Sequence, residues 1–247
     1  MIVLGFDTAT AATAVALRLA DGSVTQARDD PAAGAHPGHA TRLLEMAREL
    51  LAAAGVPWRG VQRVAVGTGP GTFTGLRVGV ATARGLAQSL AAELVGVSSP
   101  QALALSALAA GEPAPDAVLA VIDARRGEAF AAAYAPGENG VPRELVAPAA
   151  LGPQALAGVI ASAGEPAGGP RSWLAVGDGA LRFREQLQAA GIPLAADDSS
   201  LHLISAAAIC ELGVHAAIVP TDELLPDYRR RPDAELALAG GGSTLSR

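Results

Sequence analysis

Apolar and polar positions along this chain change period from block to block. Short apolar runs at residues 2–6, 61–66 and 94–97 have the length and composition of strands. Residues 12–19 and 23–28, joined by the turn pair Asp21-Gly22, complete an up-down-up trio with the first run. Residues 39–54 repeat at three and four instead. Leu43, Leu44, Met46, Ala47, Leu50, Leu51 and Ala54 form a broad apolar arc, and Arg42, Glu45, Arg48 and Glu49 form the wet side. Gly55 and Pro57 end that helix. A second helix runs to about residue 90, with Leu76, Val80, Ala83, Ala87 and Leu90 in one stripe. Gly75, Gly79 and Ala83 form a small-residue stripe beside it, Val78 and Thr82 lie between, and Arg77, Arg84 and Gln88 mark the polar side. Both arcs are wider than one sheet contact requires, which predicts a second packing neighbour for each helix. A third helix is predicted from Ser98, Ser99 and Pro100 to about residue 110.

The same order then starts again. Residues 117–122 form an apolar run ending at Asp123, followed by strands at 128–134 and 143–147 and a helix at 154–162. A strand at 173–176 leads through Gly177-Asp178-Gly179 into a helix at 180–190, and residues 201–212 form the last helix. Each half therefore reads as three strands, a helix, a strand and a helix, followed by a further strand and helix, with mixed sheets and helices on their faces. This is an α/β chain of two lobes: residues 1–110, a smaller lobe at 111–235, and a glycine-rich tail at 236–247 expected to be flexible.

Between the 61–66 strand and its helix lies GTGPGTFTG, in which Gly67, Gly69, Gly71 and Gly75 alternate with Thr68, Thr72 and Thr74. A strand, a glycine loop and a helix start can cradle an anion, with Thr72 or Thr74 capping the first turn. The same residues equally describe a tight turn that brings a helix close to a sheet. The loop fits neither the P-loop nor the dinucleotide pattern, since Leu76 and Arg77 follow Gly75 and the third glycine of either G-x-G is missing.

Composition narrows the chemistry. Half of the 247 residues are apolar but only 3% are aromatic, so the core is built from Ala, Val and Leu. The formal charge is −6, with 18 basic and 24 acidic residues, which argues against unaided binding of a nucleic acid backbone. Every basic residue is Arg, which removes Schiff-base chemistry and a P-loop lysine. The single Cys210 lies in an apolar segment and is read as a buried small residue. No run is long enough for a membrane span and no signal peptide opens the chain, so a cytoplasmic protein without membrane contact is expected. His36 and His39 sit in a Pro/Gly loop at a helix entry, and His202 and His215 stand apart, so no metal site is predicted. Ser98-Ser99 reads as a helix cap and no nucleophile elbow is present. Arg229-Arg230-Arg231 beside Tyr228, and Arg125-Arg126 beside Asp123, are either solvated stretches or contact sites.

The segment GTGPGTFTGLRVGVATARGLA closely resembles the signature of the TsaB (YeaZ) family. MIVLGFDTATAATAVAL, HATRLLEMARELL, VLAVIDARRGEAF and LPDYRRRPDAE resemble the same family in the same order along most of the chain. The resemblance implies a duplicated actin-like ATPase fold in which Asp7 and Asp123 end corresponding first strands. In active relatives of that fold such carboxylates face phosphate and metal, which makes Asp7, Asp123, Gly69 and Gly71 the candidates for facing a nucleotide here. It also implies a non-catalytic subunit without a cofactor of its own. Its partner TsaD would carry the ATP and metal site that transfers threonylcarbamoyl to N6 of adenosine 37 in tRNAs reading ANN codons. TsaE would dock on the pair, the chain alone would form a homodimer through the same surface, and tRNA would be met only through the complex. TsaD itself carries an H-x-x-x-H pair that this chain lacks. Combined with the wide helical arcs, the resemblance places the partner surface on Leu43, Met46, Ala47, Leu50, Gly75, Leu76, Val78, Gly79, Thr82 and Leu86. The alternative is a stand-alone actin-fold ATPase or sugar kinase that uses Asp7 and Asp123.

Overall fold

The computed structural model describes residues 1–32, 35–111, 114–163 and 172–229. The predicted tail at 236–247, and Arg230 and Arg231, lie outside the described residues. Strands β1 (Val3–Asp7), β2 (Thr13–Arg18) and β3 (Val24–Asp29) form the antiparallel trio. After helix α1 (His39–Ala53), strand β4 (Arg63–Gly69) pairs parallel with β1; then come helix α2 (Phe73–Leu90) and strand β5 (Glu93–Ser98), parallel to β4. The first sheet is ordered β3-β2-β1-β4-β5. Helix α3 (Ser99–Ala109) leads to β6 (Ala117–Arg125), β7 (Glu128–Ala135) and β8 (Arg143–Leu151), then α4 (Leu156–Ala163) and β9 (Trp173–Val176). The second sheet is ordered β8-β7-β6-β9. Helices α5 (Asp178–Arg182), α6 (Arg184–Ala189) and α7 (Ala206–His215) follow.

Strand alternation sorts the apolar residues into three layers. On the first sheet Leu4, Phe6, Val15, Leu17, Val64 and Val66 face α1 and α2. The intervening Val3, Ala14, Ala16, Ala65 and Val95 face the opposite way, into a central layer of α3 and α7. That layer also receives Val118, Ala120 and Ile122 from the second sheet, whose other face, with Leu119 and Val121, is covered by α4, α5 and α6. A period of two gives each buried strand one residue for each layer. The central layer is thin on the first-sheet side because its side chains are small. A Cβ on Gly5 would lie 2.6 Å from the Cys210 sulfur, and one on Gly213 would lie 2.6 Å from the Ala65 Cβ. Cys210 is thus a buried packing residue, its thiol pushed up to about 12 by burial.

Several boundaries differ from the expected ones for local reasons. The helix expected at 180–190 is broken at Phe183, whose φ of −105° and ψ of 29° are not helical. The last helix starts at Ala206 and not at 201, because the Ser205 hydroxyl accepts the Ala208 amide as an N-cap and residues 200–202 form a separate turn. Ser98 and Thr72 stand at the N-cap positions of α3 and α2, yet neither side chain makes a cap bond. The boundary expected at residue 110 is crossed by the later part of the chain. Helix α7 returns to pack on β1 and β2, and Arg63 of β4 donates to the carbonyls of Gly213 and Val214 in its last turn. The chain then runs back along the first sheet, where the Val219 amide donates to the Leu94 carbonyl.

Candidate functional site

The glycine-rich loop and the two strand-end carboxylates are the places where this architecture would hold a phosphate. In β1, Asp7 is 2% exposed. Its Oδ1 accepts the Ala9 amide at 2.8 Å and its Oδ2 accepts the Ser99 hydroxyl at 2.6 Å. Gly67 of β4 lies so close that any Cβ there would overlap the Asp7 carboxylate. Burial raises the Asp7 carboxyl above its ordinary 3.8, opposed by its bonds to Ser99 and Ala9. The sequence places Ser99 at a helix cap. Its hydroxyl is spent on a carboxylate 92 positions away, a pairing that only the parallel strand order creates.

The residues after Asp7 fill the space under the glycine loop. The Ala9 carbonyl accepts the Thr72 amide at 2.7 Å, and the Thr8 hydroxyl donates to the Gly75 carbonyl at 2.8 Å. A Cβ on Gly71 would overlap Ala9, one on Gly75 would overlap the Thr8 carbonyl, and one on Gly79 would overlap the Thr8 hydroxyl. On Gly69, whose φ is +100°, a Cβ would meet Leu76. The glycines therefore let α2 settle onto the turn between β1 and β2. The carbonyl oxygens of Thr8 and Ala9 bring partial negative charge to the start of the helix, where an anion would need donors. Around Asp7, Gly69 and Gly71, expected to face a nucleotide, the near neighbours are the chain's own residues: Ser99 and Ala9 at Asp7, Leu76 at Gly69, and Ala9 at Gly71.

Asp123, at the end of β6, is 8% exposed and equally committed. Its Oδ1 accepts the Arg125 amide at 2.8 Å, and its Oδ2 receives Arg182 at 2.9 Å and Arg125 at 3.3 Å. Its own amide donates to Asp178 Oδ1 at 3.0 Å, and burial raises the Asp178 carboxyl. Arg125, Arg126 and Gly127 all have positive φ and form the tight tip between β6 and β7. Arg182 was not singled out in the sequence; nothing in its spacing announces that α5 turns it back onto β6.

The histidines are structural or apart. His39 is buried against the Thr13 hydroxyl at 2.9 Å, and burial lowers its pKa. His202 lies between the carbonyls of Gly177 and Ala195. Among the described residues no three His, Cys, Asp or Glu side chains gather as a metal ion requires.

Of the ten residues expected at a partner surface, Leu43, Met46, Ala47, Leu50, Gly75, Leu76 and Gly79 are buried within this chain. They face the first sheet or the β1–β2 turn, so these seven cannot form an outer surface while the chain is folded. Val78, Thr82 and Leu86 remain half-exposed on α2, beside the exposed Ala81 and Gly85. On α1 the large apolar side chain left outside is Leu44, 45% exposed.

A family model described as "TsaD: tRNA N6-adenosine threonylcarbamoyltransferase" matches residues 31–235. The tRNA threonylcarbamoyladenosine biosynthesis protein TsaB of Escherichia coli is 37% identical over 146 residues, which is 57% of this chain and 58% of that protein's length. The solved YeaZ of Pseudomonas aeruginosa superposes with a TM-score of 0.74 at 29% identity, covering 92% of this chain and 99% of that one. The chain belongs to the TsaD family, in its TsaB (YeaZ) branch. A ROK hexokinase from Thermus thermophilus, with a TM-score of 0.51 at 16% identity, shares the fold, which is the actin-like ATPase fold. Among the described residues no helix is long and apolar enough to cross a membrane.

The enclosed Asp7 has a pH signature. Its folded value lies above 3.8, so the folded state holds the proton more tightly than the unfolded chain does. Its contribution to stability is full below the unfolded value and is lost as pH rises through the folded one. Urea unfolding of the wild type and Asp7→Asn across that window is expected to show the wild type losing stability relative to the variant as pH rises. A constant difference, or one of the opposite sign, would show that burial does not dominate at Asp7.

Proposed function

We propose that this protein is a non-catalytic subunit of tRNA threonylcarbamoyladenosine synthesis. In this reading it binds a TsaD-family transferase and supports threonylcarbamoyl transfer to N6 of adenosine 37 in tRNAs reading ANN codons. The observation that supports the reading is the packed glycine loop: Thr8 and Ala9 bond to and pack against it, and both strand-end carboxylates are bonded within the chain. A stand-alone ATPase or sugar kinase would need Asp7 open to a metal-bound phosphate, and Gly67, Ser99 and Ala9 enclose it.

The partner surface in this reading is the outer side of α1 and α2. Val78, Ala81, Thr82, Gly85 and Leu86 recur at three and four along α2, and nothing lies within 4 Å of where a Gly85 Cβ would be. A surface of such small residues lets another helix approach to short interaxial distance. Leu44 supplies the protruding apolar group on α1. A homodimer in the absence of the partner, and docking of TsaE on the assembled pair, belong to the same reading, and ATP and metal are assigned to the partner.

Leu44→Arg and Val78→Arg test it, because both side chains reach solvent in the folded chain. The expected result is an unchanged thermal melt with at least a tenfold loss in pairing with the organism's TsaD, read by co-purification and sizing. In a strain lacking the natural gene, the same variants are expected to lower the modified adenosine in tRNA. Full pairing by both variants, or no pairing by the wild type, would remove the proposal.

A further inference from the structure

We infer that the start of α2, together with the segment that crosses it at Tyr228, is a contact for a single-stranded stretch of RNA. This rests on the reading that the chain serves tRNA modification, and it adds a direct RNA contact that the reading does not require.

The patch is built from Phe73, Arg77 and Tyr228. The Arg77 guanidinium carbon lies 4.3 Å from the centre of the Phe73 ring. The Tyr228 ring centre is 5.0 Å from that of Phe73, with the planes tilted by 34°. Phe73 is 36% exposed and Tyr228 43%, so a short ladder of flat groups ends in solvent. The segment that presents Tyr228 is anchored. The Asp227 amide donates to the Thr68 carbonyl at 2.8 Å, and Leu224 is buried where a Gly96 Cβ would lie 2.8 Å from its methyl group. Arg229 follows at the surface, ion-paired with Asp227 at 2.7 Å.

Charge at this patch favours a phosphodiester partner. The protein carries a net −6, yet no Asp or Glu occurs between Glu49 and Glu93. In that stretch Arg63 is spent inside the fold, on Glu93 and the end of α7, while Arg59 and Arg77 are exposed and Arg84 is half-exposed. Among its charged residues helix α2 carries only arginines, on a molecule that is acidic overall. Aromatic faces flanked by arginine take bases by stacking without regard to sequence, while the cations meet the phosphates. The acidic remainder of the chain weakens the contact in isolation, so it operates in the assembled complex.

The test uses the full chain paired with its TsaD-family partner, unfractionated tRNA, and fluorescence anisotropy at several salt concentrations. Pair assembly is sized separately without RNA. Tyr228→Ala is expected to weaken tRNA binding about tenfold, with Tyr228→Phe restoring it. Arg77→Gln is expected to weaken binding and to lower the slope of log affinity against log salt by about one. Pair assembly is expected to be the same for all three variants. Unchanged tRNA affinity in Tyr228→Ala and Arg77→Gln overturns the inference. Loss of pair assembly in either also overturns it, in favour of a protein contact. If the wild-type chain forms no pair, the proposed function fails, and the same titration on the chain alone at low salt decides the inference separately. Binding that Tyr228→Ala weakens sustains it, and absence of binding ends it.

Discussion

Leu43→Arg is expected to leave no folded monomer. Leu43 is 1% exposed and packs between α1 and the first sheet among Leu4, Val15 and Leu17. The substitution removes a buried side chain worth about 2 kcal/mol. It also places a guanidinium inside an apolar layer, at a further cost of several kcal/mol. The sum is comparable with the whole stability of a typical domain, about 5–15 kcal/mol. Circular dichroism and solubility of the purified variant, compared with Leu44→Arg one position along, check this. Leu44 is 45% exposed, and its variant is expected to melt with the wild type. A folded Leu43→Arg monomer that merely failed to pair would mean that α1 does not cover the sheet as described.

The second large effect is at Gly75. Intrinsic helix propensity favours Ala over Gly by about 1 kcal/mol inside a helix, so Gly75→Ala in α2 would stabilise the chain if α2 stood free. It does not stand free. A Cβ at this position would overlap the Thr8 carbonyl, which is backbone and is fixed by the Asp7–Ala9 turn. Overpacking of that kind costs about 1–3 kcal/mol, more than propensity returns, so a net loss in urea unfolding is expected. Gly85→Ala on the same helix meets nothing within 4 Å and is expected to gain up to about 1 kcal/mol. The two changes thus have opposite signs in one helix. Stabilisation by Gly75→Ala would show that α2 does not rest on the β1–β2 turn.

These two residues also show why a filled cradle and an open one look alike in a sequence. Glycine at 67, 71, 75 and 79 states that something comes close to the backbone. It does not state whether that is a phosphate or the chain's own carbonyl. Here the neighbour is the chain itself: the Thr8 hydroxyl donates to the Gly75 carbonyl, and the Ala9 carbonyl accepts the Thr72 amide.

The sequence by itself determined the order and type of the strands and longer helices, and the likeness to the TsaB branch. These are local properties: period, turn residues and a motif of some twenty positions. It also showed that α1 and α2 have wide apolar arcs, but not what lies on each side. Only the tertiary structure decided that Leu43, Met46, Leu50 and Leu76 are already covered by the first sheet, while Leu44 and Val78 look outward. Only it paired Asp7 with Ser99, returned α7 to the first sheet and laid Tyr228 on Phe73. The physical reason is the same in each case. Periodicity fixes which side chains share a face, whereas the neighbour of that face comes from chain dozens to hundreds of residues away, brought there by strand order and close packing.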